Sequence, residues 1–361
     1  MNRVQINELD FKGQNIYVGI DVHLKSWSVS VLSEHSVLKK FNQNPDAEAL
    51  HRFLERHYPG ASYHSVYEAG FCGFWIHKKL VELGVNNIVV NPADVPTMSK
   101  EKLRKTDVVD CGKLARELRS GTLKGIYVPN VETLEIRSLI RLRNTIVKDS
   151  TREKNRIKSL LRFHGIEIPE QFTRHSIGNW SKRFLGWLRA VELSTEYGRK
   201  ALDLHIEQFI RLRGMLLQET RLIRNLSRTG LFADSLKLII TVPGIGTTTG
   251  ISLLTEIDDI GRFANAEQLA SYIGLIPMCH SSGEKEGIGD ITIRKHALLR
   301  CHMIEAAWVA IRKDPAMTMA YEEYRKRMNA QKAIVKIARK LVNRIYFVLK
   351  HRKEYVPCIV E

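Results

Sequence analysis

Four carboxylates in the N-terminal third stand where an acid needs a chemical reason. Asp21 closes the apolar run YVGID at 17–21, Glu68 closes SYHSVYE at 62–68, and Asp107 and Asp110 stand three apart in KTDVVDCGKLARELR. An ionised carboxylate at the end of a buried strand costs several kcal/mol unless it is paired or metal-bound. Neighbouring strand ends are where α/β sheets gather sites, so Asp21 and Glu68 can aim into one crevice. The stretch around 107–110 reads as a helix, and the spacing puts both acids on one face, a turn apart. Four hard oxygen ligands suit Mg²⁺ or Mn²⁺, and paired ions about 3.5–4 Å apart are the usual apparatus of phosphodiester chemistry. Each acid alone has a plainer reading: a strand-end Asp is commonly a turn residue, and Asp107 after Thr106 suits a helix N-terminus.

A second group lies near the C-terminus. In LKLIITVPGIGTTTGISLLTEI an apolar helix runs into Pro243-Gly244-Ile245-Gly246 and another helix follows, which resembles a helix-hairpin-helix. Gly244 and Gly246 would let the backbone approach a phosphate, with the second helix offering N–H groups and a positive dipole end. PGIG is also a good turn anywhere, and Gly250 stands where such hairpins often carry Ala. Farther on, MCHSSGEKEGIGD reads as a Ser/Gly/Lys-rich loop before a long helix. Ser281 or Ser282 offers a hydroxyl there, with His280, Lys285, Arg294, Lys295 and His296 near in sequence to stabilise phosphate charge. SSG is ordinary loop composition too. Arg104 and Lys105, with Lys285 and Arg294, are candidate nucleic-acid contacts. Such Lys and Arg more often form solvated faces, and Trp75 and Trp180 more often belong to a core.

The elements that must position these residues follow from periodicity. NIYVGID, SWSVSVL and VLKKFN read as an antiparallel meander, 46–58 as a helix, SYHSVYEAG as a strand, GFWIHKKLVELG as a helix and NNIVVNPADVP as a strand. The order βββαβαβ, then a helix, implies a mixed α/β sheet. A long helix over about 132–164 carries Arg137, Arg141, Arg143, Lys148, Arg152, Lys154, Arg156, Lys158 and Arg162 against Asp149 and Glu153, a basic rod. A second, roughly 199–228, repeats Leu202, Phe209, Leu212, Leu216, Ile223 and Leu226 at helix-packing spacings, so the two pair as a hairpin or dimerise. Residues 165–198 read as a connector with some helix. The fold class expected is α/β plus α, in three parts: 1–130, a coiled-coil-like helical region at 131–232 for oligomerisation and nucleic-acid binding, and a mostly helical 233–361 that ends in QKAIVKIARKLVNRIYFVLKHRK.

Bulk composition sets the partner class. With 361 residues, 56 Lys+Arg against 39 Asp+Glu and a net charge of +17, a polyanion is expected: nucleic acid first, an anionic membrane second. No run approaches the roughly 20 apolar residues of a membrane span, and MNRVQINELD has no apolar signal core, so a cytosolic chain without membrane association is expected. The five cysteines are scattered without CxxC spacing, against both a disulfide framework and zinc.

Jointly, YVGID at 17–21, YEAG at 67–70, NP at 91–92 and KTDVVDCGKLA at 105–115 resemble a ribonuclease-H-like nuclease domain. The closer resemblance is to DEDD-type insertion-sequence transposases, whose N-terminal domain resembles the Holliday-junction resolvase RuvC; the family includes pilin-gene invertases. GLIP at 274–277, Ser282-Gly283, Leu299-Arg300 and Glu305-Ala306-Ala307 match its C-terminal order, while ITIRKHALLR lacks the glycine of its Lys-x-Gly pattern. The resemblance implies that Asp21, Glu68, Asp107 and Asp110 are catalytic metal ligands for Mg²⁺ or Mn²⁺ and that Ser282, rather than Ser281, is the catalytic serine. It further implies strand exchange between donor and target double-stranded DNA through a covalent phosphoserine link, at a composite site between subunits. Guidance by a structured noncoding (bridge) RNA, a homodimer pairing into a homotetramer, and a bacterial cytosol or nucleoid location complete the expectation. The rival readings are a hydrolytic metal-dependent nuclease using the acids alone and a non-enzymatic nucleic-acid-binding protein.

Overall fold

Alternation in NIYVGIDV builds the central strand. In the computed structural model, which describes residues 10–96, 107–173, 180–282 and 285–357, β1 (Asn15–Val22) sends the fully buried Ile16, Val18 and Ile20 to one side. Tyr17, Gly19 and Asp21 alternate to the other. β2 (Trp27–Leu32) and β3 (Val37–Gln43) complete the antiparallel meander; α1 (Ala47–His57), β4 (Ser62–Glu68), α2 (Trp75–Glu82) and β5 (Asn86–Val90) follow. β4 lies parallel to both β1 and β5, giving the order β3-β2-β1-β4-β5. This mixed sheet has the βββαβαβ order expected of it.

Each face of the sheet is covered by helices. α1 starts at Asp46, whose Oδ1 accepts from the Ala49 N–H at 3.0 Å, and with α2 it packs Leu50, Leu54, Ile76 and Leu80 onto Ile16, Ile20 and Trp27. α3 (Asp107–Arg119) lies on the opposite face, where Leu114 joins Val66, Val90 and Val95. Gly19 sets how close α3 comes: a Cβ there would lie 2.1 Å from the Cys111 carbonyl oxygen and 2.5 Å from the Ala115 nitrogen. Only a residue without a side chain admits a helix backbone at that distance.

The chain divides into two compact units, Met1–Val128 and Pro129–Glu361, so the helical region expected at 131–232 lies in one unit with the C-terminal residues. In the second unit α4 (Val131–Phe163) and α6 (Glu196–Leu226) pair antiparallel, joined through α5 (Lys182–Ala190). Ile157 and Leu161 of α4 meet Leu202, Ile206 and Phe209 of α6 and Phe184 of α5, while Ile140 and Ile223 at the other end enter the C-terminal core. The same core is built from α7 (Ala233–Ile239), α8 (Thr247–Ile257), α9 (Ala266–Ile273), α10 (Ala297–Ala310), α11 (Pro315–Arg325) and α12 (Ala330–His351). No helix among the described residues is long and apolar enough to cross a membrane.

Two expectations change here. The Ser/Gly/Lys-rich stretch is not an irregular loop but an antiparallel pair, β6 (Pro277–Ser282) and β7 (Lys285–Ile291), with Ser282 opposite Lys285. Loop-like composition was compatible with strand pairing, because strand preference depends on the partner segment more than on residue type. The basic rod, for its part, does not turn all its charges outward. Arg137 is buried and Arg141 binds an acid of α8, because charges unmatched within a helix find partners across helices.

Candidate active site

The register of the two central parallel strands decides where the first acids go. Ile20 pairs with Tyr67, so Asp21 and Glu68 are the next position along β1 and β4, at the same sheet edge. By strand alternation Asp21 shares a face with Gly19, and Glu68 shares one with Val66, which packs with Leu114 of α3. Both acids therefore stand on the face that α3 covers, and α3 carries Asp110 one residue before Cys111, whose carbonyl faces Gly19. Asp21, Glu68 and Asp110 are all half-buried, between core and solvent.

Electrostatics tie α3 to the strand end. Burial pushes the Cys111 thiol up to about 11; Lys40 opposes that shift and the neighbouring Asp21 charge adds to it. His23 Nε2 lies 3.2 Å from Asp21 Oδ2, and Lys40 Nζ rests above Gly112 of α3. Neither His23 nor Lys40 was singled out by sequence. His23, two residues beyond Asp21, was legible in principle, whereas Lys40 arrives by the β2–β3 pairing.

The donors brought to this edge are carboxylate oxygens, the set that hard divalent ions select. The side chain of Asp107 lies outside the described residues, as do Arg104 and Lys105. Among the described residues no group of three or more His, Cys, Asp and Glu side chains is arranged to hold a metal ion.

Ser282 is the last residue of β6, opposite Lys285, and Ser281 pairs with Glu286; the side chains of residues 279–288 lie outside the described set. Of the cations expected near this serine, His296 is committed elsewhere. Its Nδ1 accepts from the Leu299 N–H at 3.3 Å, capping α10, and its Nε2 lies 3.2 Å from the Glu256 carboxylate. Arg294 is exposed.

Glu256 is the acid that sequence reasoning missed. It is fully buried in α8 and takes a two-pronged clamp from Arg141, Nε to Oε1 at 2.8 Å and Nη2 to Oε2 at 2.9 Å. Arg137 approaches the same carboxylate at 3.4 Å and donates to the Thr255 and Glu256 carbonyls at 2.9 Å each. Burial raises the carboxyl, but the His296 and Arg141 hydrogen bonds outweigh it and hold the group at about 2. Burial, with Arg143 and His296 nearby, lowers His302 to about 4.

The PGIG turn is partly a packing device. Gly244 has φ +89° and a Cβ there would lie 2.3 Å from the Ala306 carbonyl oxygen, so its side faces α10 rather than an approaching ligand. Gly250, expected as a weak fit, lets Leu236 of α7 come within 2.6 Å of where its Cβ would be. Gly246 is different: its Cβ position is open, and α8 begins there without a side-chain cap. A concavity of about 400 Å³ runs along Ile240–Gly246 and is also lined by Lys313. Trp180 packs against Phe184 and Phe209 as a core residue, and Trp75 is half exposed beside Trp27.

Comparison with known proteins finds transposases. A profile described as Transposase, of the DEDD IS110 type, matches residues 18–166, and that of the Transposase IS116/IS110/IS902 family matches 236–322. Two Sinorhizobium fredii proteins carried under transposase names are similar: y4qE, 28% identical over 67% of this chain and 57% of its own length, and y4rJ, 26% identical over 91% and 90%. The transposase for insertion sequence element IS1111A of Coxiella burnetii is 24% identical over 79% of this chain and 77% of its own. Both profiles describe transposases of one family, and this chain belongs to it, the IS110/IS116/IS902 family.

Proposed function

We propose that this chain is the DNA-transposing enzyme of an insertion sequence, working by metal-dependent strand cleavage and rejoining through a phosphoserine at Ser282. The observation that carries the reading is the register-aligned pair Asp21 and Glu68 at the ends of β1 and β4, beneath the acid-bearing α3, in a chain of this family. We read that edge as belonging to a ribonuclease-H-like, RuvC-like domain, and α7–turn–α8 as a helix-hairpin-helix.

Asp21, Glu68, Asp107 and Asp110 would hold Mg²⁺ or Mn²⁺. Bound there, the ion supplies Lewis-acid stabilisation of charge on phosphoryl oxygens. The Ser282 hydroxyl attacks phosphorus, forming a Ser–O–P bond as one P–O ester bond to the sugar breaks. The proton lost by serine is balanced by the one the leaving sugar oxygen gains. Attack by the hydroxyl of another DNA end reverses the step and frees the serine, so strands exchange without water. The substrates are donor and target duplexes, a structured noncoding RNA selects them, subunits assemble as paired dimers, and the work is done in the bacterial cytoplasm.

The test is covalent trapping. The protein is co-expressed with its native flanking DNA, and denaturing gels compare wild type with Ser282→Ala and Asp21→Ala. A protein–DNA adduct present in wild type and lost in both variants is expected. Cleavage without adduct that survives Ser282→Ala would replace this reading with a hydrolytic nuclease, and no metal-dependent cleavage at all would leave only nucleic-acid binding. Omission of the element's own RNA is expected to abolish site choice.

A further inference from the structure

α12 is held to the C-terminal core by one face and is basic along the other. Its buried side, from Ala333 and Ile337 through Leu341 and Ile345 to Val348, is at most 1% exposed. Asn329 caps its start, accepting from the Lys332 N–H at 2.8 Å. On the outer face Lys332, Lys336, Lys340 and Arg344 follow at successive i, i+4 positions, all exposed, with Lys350 beyond them. The 22-residue helix contains neither Asp nor Glu.

Like charges four apart on a helix repel, so folding alone does not favour this row. Little in the fold relieves it. Lys332 has a loose, solvent-exposed pairing with Asp290 at 3.7 Å, and Lys336 stands over the Tyr324 ring at 5.1 Å. Lys340, Arg344 and Lys350 have no ion pair within 4.0 Å among the described residues. At about 1.5 Å rise per residue the row from Lys332 to Lys350 runs roughly 27 Å along a rigid element. That is most of one turn of a duplex, about 34 Å.

We propose that this outer face of α12 is a docking ridge for the backbone of double-stranded DNA. An anionic bilayer is a poor fit, because a membrane-lying helix needs its apolar face and here that face is spent on the core. Unpaired RNA is a poor fit too, since its recognition relies on aromatic platforms and Phe347 is the one large apolar side chain exposed on this face. The row is regular and rigid, and four of its five cations are lysines, point charges suited to backbone contact. The choice of DNA rests on the transposase reading; the ridge is independent of the serine and of the metal.

The test is a salt titration of the full-length protein on a 30-base-pair duplex of unrelated sequence, by fluorescence anisotropy. Each phosphate contact adds about 0.9 to the slope of log Kd against log salt. The triple variant Lys340→Ala, Arg344→Ala, Lys350→Ala is expected to lower that slope by about 2.7. A control triple, Arg52→Ala, Lys200→Ala, Lys326→Ala, removes equally exposed cations that pair locally with Glu48, Glu196 and Glu323, and should leave the slope within about 1. An unchanged slope in the first triple, or an equal drop in both, overturns the ridge, as does a loss confined to an RNA hairpin probe. Failure of wild type to bind duplex at all would sink the ridge together with the transposase reading, whereas a missing covalent adduct would strike only the latter's mechanism.

Discussion

Asp21 and Glu256 each sit 3.2 Å from a histidine nitrogen, yet the Asp21 side chain is 23% exposed and that of Glu256 is 0%. Glu256 meets two arginines inside the second unit and is closed off by them. Asp21 lies at a strand end, level with a second acid and beneath a helix that carries a third. A sealed acid clamped by arginine cross-braces α4, α8 and α10 and has no access to a substrate. Acids half-exposed at a shared sheet edge keep room for an incoming ion and phosphate. Both regions hold carboxylates, and what differs between them is exposure and partners.

The largest effects should come from exchanging those roles. Glu256→Ala leaves the buried Arg137 guanidinium without its carboxylate and is expected to cost about 3–5 kcal/mol in urea denaturation. Asp21→Asn should change stability by less than about 1 kcal/mol while lowering metal-dependent cleavage by roughly 10²–10³, the scale of several kcal/mol of lost charge stabilisation. Equal destabilisation by the two would break the comparison.

Acid should find the same difference. The Glu256 carboxyl is held at about 2, below its ordinary 4.5, so its contribution is present above pH 4.5 and lost as pH falls toward 2. At about 1.4 kcal/mol per pH unit that is on the order of 3 kcal/mol. His302 acts earlier: held neutral down to about 4 against an ordinary 6.5, it resists a proton that the unfolded chain takes up. Stability should therefore begin to fall near pH 6.5, and His302→Gln should remove that first step while leaving the one below pH 4.5. A denaturation midpoint flat from pH 7 to 5 in wild type would contradict the burial of His302.

Much of the first unit was legible in sequence because it rests on local spacing. The order of strands and helices and the strand ends at Asp21 and Glu68 follow from periods of two and 3.6. The second unit was legible in its helices but not in their charges. Arg137 and Arg141 read as charges of a basic rod, and the acid they grip lies more than 110 residues away, at Glu256. His296 read as a phosphate ligand and caps α10 instead. Ser282 read as loop and ends a strand, because pairing with Lys285 is a property of two segments together.

Glycines sharpen the comparison at smaller magnitude. Gly19→Ala would force a methyl into the Cys111 carbonyl, lifting α3 from the acids; about 1–3 kcal/mol of destabilisation is expected, with impaired cleavage. Gly246→Ala meets open space and should stay within about 0.5 kcal/mol of wild type. If Gly19→Ala folds and cleaves normally, α3 does not depend on that approach and the acids are positioned otherwise.

The smallest effect tests whether the PGIG turn binds anything. α8 starts at Gly246 with no side-chain cap, so its first turn carries a partial positive charge of about half a unit. Lys313 lines the same concavity. A phosphate seated there would meet both, and Lys313→Ala would lower the duplex salt slope by about 0.9, one contact's worth. Lys237→Ala, which removes an exposed cation that pairs with Asp234 on α7, should leave the slope unchanged. The outcome turns on which glycine matters more. Gly244 is bound to Ala306 by close approach, and if packing is the turn's whole purpose, Lys313→Ala will leave the slope as it was. A drop of one contact would instead assign the open side, at Gly246, to the DNA backbone.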